Sequence, residues 1–341
     1  MVYAKLWFVL WAVLWTAYFA LDGFDLGAAF SAWLVAPAGG ERSRVFAAVG
    51  PFWDGNEVWL ITAGGATFAA FPPVYASLFS WLYPALLLIL FSLIARGAAL
   101  EFRGKSQSRS WTAFWERTAA ASSFLAALLF GVAFGNIFRG LAIGPAGYEG
   151  TFMGLLNPYS LAAGLLFCAL FLYHGLLWTA CKVPGDPARR AGALAGAAWY
   201  VLLALSVVFA AYSWASTGLS ANFLARKYLL LLPLLFGAAL FASKALLSRG
   251  LAGRAFQASF LAIALFFLTG FAGIYPYLLP SRLDPDLGLS VYNSSSSPYT
   301  LGIMTWTIAI FLPVVIGYQL WAHRLFGRPL SWEELKKGGM Y

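Results

Sequence analysis

The chain has 341 residues, 61% of them apolar or aromatic and only 10% charged, with a mean hydropathy of +0.76 and a net charge of +9. A soluble domain is about 45–50% apolar and about 25% charged, so a soluble multidomain protein, a disordered chain and a disulfide-stapled secreted module are all excluded. The apolar runs are continuous and do not alternate with period two, which also excludes a transmembrane β-barrel.

A helical span takes roughly 20 apolar residues. Charged or turn-rich breaks divide the chain into nine such spans, near 5–35, 51–72, 75–97, 114–138, 157–182, 192–216, 223–248, 255–279 and 298–325. The expectation is an all-α, polytopic membrane helix bundle of about nine transmembrane helices, forming a single integral membrane domain over 1–341. Nine spans suit a four-plus-four arrangement with one extra C-terminal helix, although no strong internal repeat accompanies it. The first span is long and carries two aspartates. Its apolar run has no small-residue cleavage site, so it does not read as a removable signal. Two connections look extended, 96–113 and 280–297, and the second ends in the turn-forming run Asn293-Ser294-Ser295-Ser296-Ser297-Pro298.

Positive charge gathers at one end of the spans. That end holds Arg42, Arg44, Arg96, Arg103, Lys105, Arg109, Arg117, Lys182, Arg189, Arg190, Lys244, Arg249, Arg254, Arg324, Arg328, Lys336 and Lys337, which is 17 of the 22 basic residues. Lys5, Arg139, Arg226, Lys227 and Arg282 lie at the other. The positive-inside rule then predicts an N-terminus outside and a C-terminus in the cytoplasm. It also accounts for the net charge, so no nucleic-acid partner is expected. Cys168 and Cys181 share one span about 20 Å apart along the helix axis, too far to pair.

Carboxylates inside spans carry the functional signal. A charge at a helix centre costs about 2.5–3.5 kcal/mol, so Asp22, Asp25, Asp54 and Glu57 together would cost on the order of 10 kcal/mol if charged at depth. Asp22 and Asp25 are spaced i, i+3 and share a helix face, and Asp54 and Glu57 repeat that spacing. With Glu101 at the end of the third span, five acids gather in the inner half of the first three spans. Such a ladder suits proton conduction. Simpler readings exist for parts of it: Glu101 pairing with Arg103 or Arg96, and Asp54 and Glu57 favouring a helix N-terminus. Gly23 and Gly27 form a Gly-x-x-x-Gly face suited to close helix packing, and Gly64-Gly65 reads the same way in the second span.

The two histidines, His174 and His323, lie on distant spans and are too few to ligate several haems. His174 reads as a buried, hydrogen-bonded histidine. No zinc, P-loop, dinucleotide or nucleophile-elbow signature is present, so no metal site and no catalytic residue are expected in this chain. Several of the 15 tryptophans fall near span ends as an interfacial belt. Trp53 and Trp59 flank the acids of the second span.

Leu21-Asp22-Gly23-Phe24-Asp25-Leu26-Gly27 followed by Trp53-Asp54-Gly55-Asn56-Glu57-Val58-Trp59-Leu60 resembles subunit II of the cytochrome bd quinol oxidases. The blocks 64–72, 131–136, 155–158, 275–277 and 304–306 agree in family order, so the resemblance covers essentially the whole chain. Phe52, Glu57 and Glu101 stand where some members carry His, Gln and Asp. The resemblance implies a subunit of a terminal oxidase of the bacterial cell (inner) membrane that oxidises membrane quinol and reduces O2 to water, building proton-motive force without pumping. It places two b-type haems, haem d and the quinol site in subunit I, the heterodimer partner. This chain would be the haem-poor member, surrounded by membrane lipid and contributing a proton route and an oxygen route. Carried over by motif, Asp25 and Asp54 are acids of the proton route, Glu101 lies near its entrance, and Trp59 borders a passage. Some members bind a structural quinone in this subunit, and some assemblies include small single-helix accessory subunits. A secondary transporter with buried carboxylates is the alternative from another class.

Overall fold

The computed structural model describes residues 1–37 and 39–329; Lys336 and Lys337 of the basic end lie outside the described residues. The helices are α1 (Val2–Val35), α2 (Gly39–Val49), α3 (Trp53–Ala70), α4 (Pro72–Trp81), α5 (Tyr83–Phe102), α6 (Arg109–Arg139), α7 (Pro158–Lys182), α8 (Asp186–Ser216), α9 (Leu219–Ala225), α10 (Leu231–Ser248), α11 (Ala252–Ile274) and α12 (Pro298–Phe326). Two antiparallel hairpins, β1–β2 (143–148) and β3–β4 (277–290), follow the ends of α6 and α11. Cys168 and Cys181 are free thiols.

Among the described residues eight helical segments are long and apolar enough to cross a bilayer, and α3 with α4 makes a ninth, broken one. The break corrects two expected boundaries. The straight part of the second span ends at Ala70, the chain bends by 118° into α4, and the third crossing starts at Tyr83 and not near residue 75. Pro72 and Pro73 are the cause, since neither can donate to the α3 ladder and both suit the first turn of a new helix. The short α2, between the first two crossings, is not foreshadowed by hydropathy.

α1 is the hub, packed against α3, α6, α7 and α11. Its Phe19 stacks on Phe267 at 4.2 Å and meets Phe130, Phe134 and Phe167 edge-on. The closest helix approach is glycine against glycine. A Cβ on Gly27 would lie 1.8 Å from the Phe171 carbonyl oxygen, and one on Gly175 would lie 2.1 Å from the Ala28 nitrogen. Gly27→Ala should therefore force α1 and α7 apart, at a cost of about 1–3 kcal/mol or more. Thermal unfolding of the assembled complex checks this, and an unchanged melting temperature would contradict the close packing. Gly64 and Gly65 do not do similar work here: a Cβ on either meets nothing within 4 Å.

Blocks distant in sequence meet in the fold. Gly131 and Gly135 on α6 admit Gly164 and Ala163 of α7, and Asn157 Nδ2 donates to Asn136 Oδ1 at 2.9 Å. α12 is the least buried crossing. Trp7 Nε1 donates to Leu301 O and Thr305 Oγ1, Gln319 Nε2 donates to Gly55 O, and the buried Lys182 ammonium donates to the Phe326 and Arg328 carbonyls at the helix end.

Candidate functional site

Three neighbouring crossings deliver one charge cluster. α1 runs toward the basic end and carries Asp22 and Asp25 in its second half. α3 starts at that end and places Asp54 in its first turn and Glu57 in its second. α5 runs back to it and carries Arg96 less than two turns before its end. Arg96 Nη2 donates to Asp22 Oδ1 at 2.7 Å and to Glu57 Oε1 at 2.6 Å, and Nη1 donates to Asp22 Oδ2 at 3.0 Å. The Arg96 and Asp22 side chains are 1% and 0% exposed; that of Glu57 is 22% exposed. Asp25, one turn nearer the basic end on the same buried face of α1, accepts from Asn56 Nδ2 at 2.6 Å. Trp53 lies against Gly97, where a Cβ would come within 3.4 Å of its ring, so an indole covers the backbone beside Arg96.

Fully ionised, three carboxylates (Asp22, Asp25 and Glu57) face one guanidinium, a net charge of −2. Several polar atoms around them are buried with no hydrogen-bond partner: Asp25 Oδ1, Asn56 Oδ1 and Arg96 Nε. Buried polar groups are nearly always satisfied in native proteins, so this concentration marks a place with spare donor and acceptor capacity.

The remaining expected site residues fall around the cluster. Asp54 and Glu101 are exposed at its basic end. Glu101 makes neither of the ion pairs considered for it, because Arg96 is taken by Asp22 and Glu57, and Arg103 faces Glu116 at 4.0 Å. No side chain caps α3; Phe52 occupies that position. Trp59 is buried on α3, two residues beyond Glu57.

Sequence pattern misses two parts. It groups Arg96 with the loop cations, yet Arg96 is a buried member of the site. The available signal is its flank, since Leu93-Ile94-Ala95 and Gly97-Ala98-Ala99-Leu100 leave no polar neighbour. Glu116 lies inside the fourth expected span and is also missed. Its carboxylate accepts from Arg42 Nε at 2.7 Å, the Arg42 guanidinium sits 3.7 Å over the Trp33 ring, and Arg42 Nη1 donates to Ala36 O. This second buried cluster pins α2 and the end of α1 to α6.

His174 is fully buried. Its Nδ1 meets Ser259 Oγ at 2.6 Å, its Nε2 meets Ala20 O at 3.2 Å, and its ring stacks on Phe256. Both nitrogens are engaged, which leaves His323 as the sole other imidazole and no pair for axial ligation. The histidines of this chain do not fit a bis-histidine haem site. Among the described residues no group of three or more His, Cys, Asp or Glu could hold a metal ion.

These features define a polytopic helical membrane protein with a buried ion-pair cluster near one face of the bilayer. The sequence profile described as cytochrome bd terminal oxidase subunit II matches residues 3–326. The chain is 32% identical to the cytochrome bd ubiquinol oxidase subunit 2 of Bacillus subtilis, covering 96% of this chain and 97% of that one. It is also 32% identical to the cytochrome bd-I ubiquinol oxidase subunit 2 of Escherichia coli K12, over 95% and 94%. The fold matches the bd oxidase structure from Geobacillus thermodenitrificans with a TM-score of 0.72, at 19% identity, over 96% of this chain and 99% of that one. The chain belongs to the cytochrome bd terminal oxidase subunit II family. It is thus a subunit of an oxidoreductase complex of the bacterial cell membrane that contains haem and a subunit I. The transporter alternative finds no support in these relatives.

Proposed function

We propose that this chain is the haem-poor half of a quinol:O2 oxidoreductase and conducts protons toward the oxygen chemistry of its partner. Reduction of O2 to water consumes protons, and quinol oxidation releases them; taking them up and releasing them on opposite sides stores proton-motive force without a pump. The route runs from Glu101 and Asp54 at the surface, through Glu57 and Asp25, to the Arg96–Asp22 pair. The observation that carries this reading is the gradation of exposure across the acids around Arg96, whose guanidinium bonds Glu57 and Asp22: Asp54 open, Glu57 partly buried, Asp22 and Asp25 closed. An excess of carboxylates over cations lets such a cluster hold and pass on a proton. Trp59 borders the passage.

The haems b and d belong to subunit I, in keeping with the engaged nitrogens of His174. Subunit I docks on the face formed by α3, α5 and α12, where Ile61, Phe68, Ile94, Trp306 and Ile310 are exposed and Gly64 and Gly65 leave the α3 surface open for close approach. The basic end faces the cytoplasm. Taking Arg96 out of the loop cations leaves the charge asymmetry large.

The test is Asp54→Asn, which keeps shape and helix-start chemistry but cannot release a proton. The expected outcome is normal assembly and haem content with proton uptake slowed a few-fold, because water still reaches Glu57 past an exposed position. Electron entry from quinol should be unchanged. Full-speed proton uptake in single-turnover kinetics would remove Asp54 from the route.

A further inference from the structure

Between the basic ends of α8 and α10 lies an open cleft. Its volume is about 460 Å³, and Arg189, Gly192, Gly196, Lys244, Ser248 and Gly250 are among its lining residues. Among the described residues no acidic side chain lines it. Lys244 Nζ donates to Gly196 O at 2.6 Å, which spends one of its three protons and leaves the ammonium held at the cleft wall. Arg189 pairs with Asp186 at 3.0 Å on the exposed first turn of α8. Arg249 and Arg254, on the neighbouring turn, have no ion-pair partner among the described residues. The floor is open because it is glycine: a Cβ on Gly192 or Gly250 would meet nothing within 4 Å.

Depth and surroundings indicate what the cleft takes. α8 has 31 residues, about 46 Å of helix, against about 30 Å of hydrocarbon. Its first turns therefore lie at headgroup level, where the cleft is. Next to it toward the bilayer centre runs an apolar seam between α8 and α10. Tyr200 and Phe241 are both more than half exposed there, Trp199 packs on Phe241 at 5.0 Å, and the Lys244 ammonium sits 4.7 Å from the Tyr200 ring centre. A cationic cleft that continues into an exposed aromatic seam is amphipathic in the same sense as a phospholipid.

We propose that this cleft is a binding site for an anionic membrane phospholipid, with its phosphate between Lys244 and Arg189 and an acyl chain along the Tyr200–Phe241 seam. Basic pockets between crossings at a membrane surface recognise such headgroups, each Lys or Arg adding to the attraction. The small-residue floor gives the headgroup room, and the seam distinguishes a lipid from a free anion.

The test uses the purified two-subunit complex, delipidated in detergent and titrated with phosphatidylglycerol or phosphatidylcholine under native mass spectrometry. Parent complex should retain phosphatidylglycerol in preference to phosphatidylcholine. The double variant Arg189→Gln, Lys244→Gln should lose roughly tenfold to thirtyfold in phosphatidylglycerol retention, the effect of two basic contacts. Gly192→Leu removes no charge and no hydrogen bond but fills the cleft, and it should lose retention as well. Equal retention of the two lipids by the parent, or undiminished phosphatidylglycerol retention in either variant, overturns the proposal. Displacement of the lipid by millimolar inorganic phosphate would assign the cleft to a free anion and overturn it also.

Discussion

Arg96→Gln should destabilise the assembled protein by about 3–5 kcal/mol, the cost of breaking a buried ion pair by removing one partner. The effect is large because two carboxylates depend on one guanidinium, through three hydrogen bonds of 2.6–3.0 Å. Removing it strands Asp22, which has no other ion-pair partner among the described residues and no exposure to water. Arg96→Lys should recover only part of the loss, since a point ammonium cannot present the planar fork that holds both Asp22 oxygens while reaching Glu57. Neutralising the acids in the same background, with Asp22→Asn and Glu57→Gln, should restore much of the stability by removing the stranded charges. Thermal unfolding of the complex and the yield of assembled subunits measure all three. A melting temperature for Arg96→Gln within a degree of the parent would show that water or another cation already satisfies the cluster.

Much of this architecture is legible in the sequence, for a physical reason. In a membrane the cost of an ionised group is high enough that Asp22, Asp25, Asp54 and Glu57 stand out against any apolar background, and helical periodicity alone puts each pair on one face. The Gly23–Gly27 face is legible for the same kind of reason, because small residues at that spacing have a specific packing use. What escapes is the complement. An acid signals itself, whereas its counter-charge is hidden whenever it lies near the end of a span, where Lys and Arg are also common. Arg96 is therefore mistaken for a loop cation, and with it goes the link that joins Asp22 to Glu57 across three helices. Glu116 escapes because its partners, Arg42 and Arg103, lie 74 and 13 positions away on other elements, and no local spacing announces them. The break at Pro72 and Pro73 is legible, but α4 is not: the apolar run from residue 75 reads as the start of the next crossing, whereas the backbone bends by 118° and the straight helix of that crossing begins at Tyr83.

Asp25→Asn should assemble with full haem content and yet slow the proton-coupled step of oxygen reduction by roughly 10²-fold or more, the range over which a positioned proton-transfer group accelerates reactions. Asp25 is buried, one turn nearer the basic end than Asp22 on the same helix. One of its oxygens accepts from Asn56 at 2.6 Å and the other is buried with no partner. An amide keeps the volume and can still accept from Asn56 through its own oxygen, so packing should survive. What it lacks is a site that can take up and release a proton, and no water bypass is available at a side chain 1% exposed. This contrast with Asp54 is the sharpest consequence of a graded route: the same Asp→Asn change should be mild at the open entrance and severe at a closed interior position. Electron transfer from quinol to the haems should be near normal in both, since neither residue touches that path. Flow-flash kinetics paired with a pH-indicator dye resolve proton uptake from electron transfer. Equal slowing of the two variants would mean that the acids act by shared electrostatics and not in sequence, and full-speed uptake by Asp25→Asn would move the route away from α1.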